Sequence, residues 1–523
     1  MNSSPSPRPA PSLRALQLAA VVLFLAGIGG IAFQLKYCVL DLDIWWHLKV
    51  GDWIVVHAAV PHTGILSRTA ANRSWVAYSW GYEVLLSYAY AWFGLVGIGA
   101  FGTLLTIGVA YSIYWMLRRL SGNFWLALAG AGIVSSAFLF NGMPRPFFFS
   151  IAFFAITLTL LLEARRDGRI ERLYWLPLIF CLWANLHIQF IYGLFLLGLF
   201  AGVSLLEHAA RILRVRPGLV RTTAIPPAKV LLVCALCAAA TLVGPNFYHP
   251  YEVVLAYSKA KFSYSIILEL QPLTFRGYSH FAELFLAAAG FFAVGWQARF
   301  GEQAWREAAQ APGRRGLDLF QLGLLTAASV VAFRTMRDAW FICLPAAACL
   351  GEAFRAAAAE AMVDLAAESN ETSTGSWREN FGIAATVAAV LALAASSLDF
   401  NTRGLDAAIS ASYPVNAINF LRHNPLPPPL YNNLNWGGFL MWYMPDYPVA
   451  VDGRNDLYGD DLDRLFYDSE NAQDSYKADP YLNEAGVVLL DSHLPLAKVL
   501  TVDPRFRLVF HDDIATVFAR SGP

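Results

Sequence analysis

Charge is what this sequence has least of. Only 15% of its 523 residues are Asp, Glu, Lys or Arg, 57% are apolar, and the mean hydropathy is +0.46. That balance excludes an ordinary water-soluble protein of this length. The 38 basic residues are offset by 38 acidic ones, so no net field points to nucleic acid or to an acidic surface as partner. Cysteine is also scarce. Of six, Cys181, Cys234, Cys237, Cys343 and Cys349 fall in apolar runs and Cys38 stands alone, which leaves no disulfide framework. The CxxC pair Cys234 and Cys237 has no ligands nearby in sequence and reads as packed thiols. A Gly-rich phosphate loop, GxGxxG and HExxH are missing too, which removes support for a nucleotide cofactor and for zinc proteolysis.

Long apolar runs are present instead. A span needs about 20 apolar residues. The run from Leu13 to Lys36 follows a short basic tail at residues 1–12, is too long for a signal peptide and lacks an A-x-A site. It reads as a retained first span. Further candidates lie near 95–117, 123–141, 146–163, 172–186, 188–207, 226–243, 278–297, 317–334, 337–354 and 379–397, so the reading predicts a polytopic α-helical membrane protein with eleven transmembrane helices. The basic connections at Arg118, Arg166, Arg214 and Arg314 fall on one side. By the positive-inside rule that side is cytoplasmic, as is the N-terminus. The outer loop 37–82, the segments 141–146 and 244–277, and residues 398–523 then face outward. The transmembrane part is expected to cover 13–397. From 398 onward, Asp, Asn, Pro and Tyr replace the apolar runs, and a soluble α/β domain of roughly 120 residues is expected. There "AINFLRH" reads as a helix, and "PVAVDGR", "GVVLLD", "FRLVFHDD" and "IATVFAR" as strands. "NPLPPPLYNN" reads as an extended connection.

The outer loop 37–82 carries the densest chemistry. Trp45, Trp46, Trp53, Trp75 and Trp80 are expected at the membrane interface, on one or two interfacial helices. If "DIWWHLKV" is helical, Asp43 and His47 share a face. Capping of that helix by Asp41 and Asp43 is the simpler alternative. Other polar residues stand at the outward ends of spans: Glu83, Arg145, Asn185, His187, Arg334, Arg337 and Asp338. Ionisable groups at membrane depth are costly, so several at one edge point to a shared polar cavity, although each alone could be a snorkelling side chain. A carboxylate there can act as general base toward an acceptor, and arginines can hold a phosphate leaving group. Transfer from a lipid-phosphate donor needs both. A divalent metal, magnesium or manganese, matches the oxygen chemistry of Asp41 and Asp43, but two aspartates are a small ligand set. The cluster Asp452, Arg454, Asp456, Tyr458, Asp460 and Asp461 in "VDGRNDLYGDD" reads either as a locally paired turn or as a surface for acceptor recognition.

An acidic first outer loop, about a dozen spans and an outward C-terminal α/β part resemble the GT-C superfamily of polyprenyl-phosphate-dependent glycosyltransferases. That superfamily includes protein O-mannosyltransferases, aminoarabinose transferases and oligosaccharyltransferase catalytic subunits. The stretches "DLDIWWHLKVGDWI", "VPHTGILS", "WGYEVLL", "RPFFFS", "NLHIQF" and "DGRNDLYG" are similar to a group of bacterial membrane proteins assigned to it. The resemblance implies a GT-C-like fold in the bacterial cytoplasmic (inner) membrane with the C-terminal part periplasmic. It implies catalysis by Asp43 or Asp41, as base or as metal ligand, with Glu83 as a second acid. His47, Arg145, Asn185, His187, Arg334 and Arg337 would then bind substrate. The implied partners are a polyprenyl-phosphate-linked sugar, the lipid bilayer, and a glycan, lipid or protein acceptor. The competing expectations are a transporter or flippase-like protein, which the sparse polar residues of the inward half disfavour, and a non-catalytic scaffold with the same fold.

Overall fold

The structure, a computed structural model, describes residues 13–33, 39–138, 145–213, 221, 223, 225–307, 316–365, 381, 385 and 402–522. The expected span at 379–397, the tail 1–12 and Cys38 lie outside the described residues, apart from residues 381 and 385. The helices of the apolar part are α1 (Leu13–Ala32), α2 (Ile44–His57), α3 (Trp80–Ser121), α4 (Phe124–Phe138), α5 (Phe147–Asp167), α6 (Leu176–Leu186), α7 (Phe190–Ile212), α8 (Pro227–Ala240), α9 (His249–Lys259), α10 (Phe262–Ile266), α11 (Tyr278–Glu307), α12 (Leu319–Arg334) and α13 (Trp340–Leu365). Among the described residues, six helical stretches are long and apolar enough to cross a membrane: Leu13–Ala32, Trp80–Ser121, Phe147–Asp167, Phe190–Ile212, His280–Ala298 and Met336–Ala358. Phe124–Ala137, Pro227–Ala240 and Leu319–Arg334 are apolar but shorter. The stretch expected as a span at 172–186 is divided between a 3-10 turn, Ile170–Trp175, and the 11-residue α6.

Helix α3 is longer than any apolar run predicted because it is two helices joined at a kink. Gly94 sits at φ 60, ψ −144, a region an L side chain enters only with strain. Before the kink, Trp80–Phe93 forms an arm against α2; after it, the chain descends beside α1 and α5. The membrane core gathers residues such as Ile113, Phe154, Trp183, Phe200, Phe320 and Phe341, each at most 1% exposed. Side chains on the outer surface of the bundle, such as Trp92, Trp125, Leu206 and Phe292, are exposed, as expected where lipid supplies the apolar surroundings.

The C-terminal part contains helices α14 (Thr402–Ser412), α15 (Val415–His423), α16 (Gly437–Tyr443), α17 (Asn455–Glu470), α18 (Pro480–Glu484) and α19 (Pro495–Leu500). They surround a sheet of β1 (Leu430–Asn432), β2 (Val487–Asp491), β3 (Phe506–His511) and β4 (Ala515–Arg520) in the order β1-β2-β4-β3. β1 runs parallel to β2, with Leu430 opposite Val487; the other pairs are antiparallel, with Leu489 opposite Val517 and Leu508 opposite Phe518. Two details differ from expectation. The extended connection supplies β1, while "PVAVDGR" forms no strand and pairs only at a single bridge, Ser67 with Val449. Its backbone is satisfied by a side chain instead. The Asn432 amide accepts from Ala450 N at 2.7 Å and donates to Val451 O at 2.8 Å.

A second core unites this part with the outer loop. Trp45, Trp46, Trp75 and Tyr82 pack in one cluster with Tyr413, Phe439, Val451, Val488 and Phe518. Trp45 is 0% exposed, Trp75 3% and Trp46 7%, so these three indoles are buried within protein rather than lying at the membrane interface. The Trp45 ring meets Phe439 edge-on at 5.2 Å and Tyr443 at 5.4 Å. Burial of rings this large dominates such an interface.

Candidate active site

The acidic residues of the outer loop are aimed by the start of α2. Asp43 precedes the helix but makes no side-chain cap. Its Oδ1 accepts from Trp46 Nε1 at 3.1 Å, while its own N–H donates to Asp41 Oδ1 at 3.1 Å. Asp41 is 2% exposed. Its burial is compensated by Arg145, which donates from Nε to Oδ2 and from Nη2 to Oδ1, both at 2.9 Å. That fork is the strongest geometry available to a guanidinium and a carboxylate. The remaining nitrogen, Nη1, lies 3.3 Å from Asp43 Oδ2 and 3.1 Å from Glu269 Oε1. Glu269 in turn accepts from Arg337 Nη2. Burial alone would raise the Glu269 pKa, but Arg337 and Arg145 outweigh it and hold the carboxyl below the usual range. Residues from four distant segments thus form one charged chain: Asp43, Asp41, Arg145, Glu269, Arg337.

Beside it lies a second group. His47 is 6% exposed, and its Nδ1 is 3.2 Å from Glu83 Oε1. Burial pushes the imidazole pKa down to about 3, with Asp41 opposing and Arg145 adding to the shift, so His47 is neutral at physiological pH. Glu83 Oε2 is buried without a hydrogen-bond partner among the described residues. The C-terminal part closes this flank. The Cβ that Gly453 lacks would fall 2.5 Å from Asp43 Oδ1, so only glycine allows the DGRND turn to approach so closely. Asp452 and Arg454, both fully buried, pair at 2.7 Å, and Arg454 also stacks 4.8 Å over the Trp75 ring. Asp456 accepts from Trp75 Nε1 at 2.9 Å. Burial raises its pKa to about 6 despite that bond.

The third group hangs from His187. Trp183 Nε1, a pure donor, gives its hydrogen to Ser150 Oγ at 2.7 Å. Ser150 Oγ also lies 2.8 Å from His187 Nδ1, so Trp183, Ser150 and His187 form one hydrogen-bonded row. Burial, then Arg337 and His47, push the His187 pKa down to about 3. The edge of the Tyr78 ring is 6.4 Å from His187 by centroids, and Tyr78 hydrogen-bonds Tyr257.

The structure therefore brings Asp41, Asp43, His47, Glu83, Arg145, His187 and Arg337 close to one another through ion pairs and through-space charge interactions. Asn185 and Arg334 do not join these pairs. Asn185 accepts from Trp80 Nε1 at 2.9 Å and donates to Val243 O at 2.7 Å, tying three segments together. Arg334 is exposed and lies 5.7 Å over the Tyr264 ring. Asp338 is a hub, accepting from Gln189, Tyr192 and Thr335. Glu269 was not singled out from sequence, and Asp456 was named only within the DGRND cluster. The signal for Glu269 was an acid flanked by apolar residues in "IILEL".

A cation fits this donor set poorly. Both Asp41 oxygens are committed to Arg145 and one Asp43 oxygen to Trp46. Among the described residues, no group of three or more His, Cys, Asp or Glu is arranged for a metal. An apolar groove of about 370 Å³ runs between α3 and α5, lined by Leu104, Leu105, Gly108, Trp115, Phe148 and Phe149. It begins at the first turn of α5, directly after Arg145.

No protein-family model matches the sequence, and no curated protein matches it significantly. Among solved structures, the oligosaccharyltransferase AglB of Archaeoglobus fulgidus, in complex with an inhibitory peptide and a dolichol-phosphate, aligns at TM-score 0.50 and 13% identity over 91% of this chain and 69% of that one. The apo form of the Archaeoglobus fulgidus oligosaccharyltransferase aligns at TM-score 0.51 and 11% identity, covering 97% and 75%. ArnT from Cupriavidus metallidurans bound to undecaprenyl phosphate overlaps at TM-score 0.43 and 15% identity, covering 96% and 99%. At these identities the likeness is one of fold, and the fold is that of the two oligosaccharyltransferase structures.

Proposed function

We propose that this chain is a membrane glycosyltransferase that moves a sugar from a polyprenyl-phosphate donor to an acceptor on the outer face of a bacterial cytoplasmic membrane. One observation carries the reading: carboxylates and two arginines are gathered around Arg145, which directly precedes the helix whose Phe148 and Phe149 line an apolar groove in the membrane part. A lipid phosphate needs both, with its chain in the groove and its head group on the arginines. The complex of AglB with dolichol-phosphate supports the donor class. The orientation is supported by Arg118 and Arg119 in the last turn of α3 and Arg165 and Arg166 in the last turn of α5, at the ends away from Glu83 and Arg145.

In this reading Asp43 is the base. Its side chain is 25% exposed while that of Asp41 is 1% exposed, so Asp43 Oδ2 is the carboxylate edge an acceptor hydroxyl or amine can reach. Asp41 orients Arg145, Arg145 and Arg337 bind the phosphate that leaves, and His187, held by Ser150, stands beside them as a neutral hydrogen-bonding group. His47 and Glu83 hold the start of α2 in place. Replacing Asp43 by Asn is expected to lower transfer from a labelled polyprenyl-phosphate sugar in membranes by about 10²–10⁴-fold, with the protein still produced and folded. Unchanged transfer would remove Asp43 from the chemistry.

A further inference from the structure

Glu269 is the least protected member of the charged chain, and it is held only by arginines. Its side chain is 40% exposed, against 1% for Asp41. It rides on a three-residue 3-10 turn, Leu268–Leu270, that belongs to neither hydrophobic core, although Leu270 is buried. Two backbone bonds fasten the following residues to the α12–α13 junction: Leu273 N to Phe333 O at 3.2 Å and Met336 N to Gln271 O at 3.0 Å. Leu268, the preceding residue, is 72% exposed, an apolar side chain at the membrane edge.

Two guanidinium groups from segments far apart in sequence converge on this one carboxylate. A phosphate offers arginines the same paired oxygen acceptors. Formal charge argues the same way. Asp41, Asp43 and Glu269 give three negative charges against two positive ones from Arg145 and Arg337, so an added phosphodiester would meet a cluster already in negative excess. Exchanging the Glu269 carboxylate for one phosphodiester leaves that total unchanged. Asp41 cannot play this part, because its buried fork with Arg145 would be broken at a far larger cost.

We infer that Glu269 is an internal stand-in for the phosphate of the lipid substrate: it occupies Arg145 and Arg337 and swings away with its turn when a lipid phosphate takes its place. This rests on the polyprenyl-phosphate reading above and adds a residue that sets how tightly the head group binds. The exchange is one of ion pairs and hydrogen bonds, with no covalent step.

The test uses the full-length protein in nanodiscs with undecaprenyl phosphate as probe. Glu269→Gln is expected to bind it about tenfold tighter than the wild type, since one competing charged hydrogen-bond partner is lost. Arg337→Gln is expected to bind it more weakly. Independently of any variant, hydrogen exchange of residues 267–277 in the wild type should rise when undecaprenyl phosphate saturates and stay unchanged with undecaprenol. A parallel titration with inorganic phosphate assigns the source: release by both phosphates means that the phosphate group suffices, and release by the lipid alone means that the tail is needed. If Glu269→Gln binds no tighter, if the exchange stays flat, or if undecaprenol also releases the turn, the stand-in role is wrong, while binding by the wild type leaves the donor reading intact. No binding by either protein overturns both.

Discussion

Arg454 shows how much one side chain can carry. Its Nε and Nη2 bind the two oxygens of Asp452 at 2.8 and 2.7 Å, Nη2 also reaches Ile65 O at 3.0 Å, and the group is sealed from solvent. Removing one partner of a buried pair leaves the other charge uncompensated, at a cost of about 3–5 kcal/mol. Arg454→Ala should therefore lower the stability measured by unfolding in detergent by about that amount, whereas Arg334→Ala, which loses only an exposed contact with Tyr264, should cost under about 1 kcal/mol. A similar loss for both would mean that the DGRND turn is not the clamp described here. From sequence this turn read first as a local pair and second as an acceptor surface; local pairing of Arg454 was legible because Asp452 is two residues away. That the turn also presses on Asp43 was not, since nothing in the string relates Gly453 to a residue about 400 positions earlier.

At the level of elements, the site depends on α2 lying tight against the arm of α3. The missing Cβ of Gly51 would fall 2.0 Å from Glu83 O. Gly51→Ala must push α2 off α3 and lengthen the His47–Glu83 contact, and overpacking of this kind costs about 1–3 kcal/mol. The expected result is a fall in transfer activity larger than the fall in stability, because the displaced helix carries Asp43. Activity tracking stability alone would show that the spacing has no special role. The long spans were readable because twenty apolar residues leave few alternatives. The kink at Gly94 was not, as a single glycine inside an apolar run looks like any other. Trp45, Trp46 and Trp75 were misplaced for a physical reason: an indole has an apolar body and one donor, which suit the membrane interface and a core with a nearby acceptor equally well. Trp45, whose Nε1 donates to Val39 O at 3.1 Å, found the latter.

For the whole molecule, pH acts through carboxyls that fold into apolar surroundings. Burial raises the pKa of Asp456 to about 6 and those of Asp463 and Glu470 to about 7. Their folded values exceed the unfolded ones, so their contribution to stability is complete below about pH 4 and is lost as pH rises through 6 to 7. His47 and His187 work the other way, since folded values of about 3 against a usual 6.5 remove stability as pH falls below 6.5. The thermal midpoint in detergent should thus change little between pH 8 and about 7 and rise as pH falls below that, with the two histidines cancelling much of the gain below 6.5. Asp463→Asn together with Glu470→Gln should abolish the rising limb; a midpoint that instead climbs toward pH 8 would contradict the assignment.

The union of the outer loop with the C-terminal part also bears on biosynthesis. Chains emerge from the ribosome N-terminus first, yet Trp45 and Trp75 find their burial partners among residues 413–518. The segment bearing Asp41 and Asp43 must wait, unassembled, until nearly all of the polypeptide has been made and its last part has reached the same side of the bilayer. A product that ends before residue 430 would hold every member of the charged chain but not the core that buries Trp45 and Trp75 and steadies the segment carrying Asp41 and Asp43, so incomplete copies would be inert rather than misdirected.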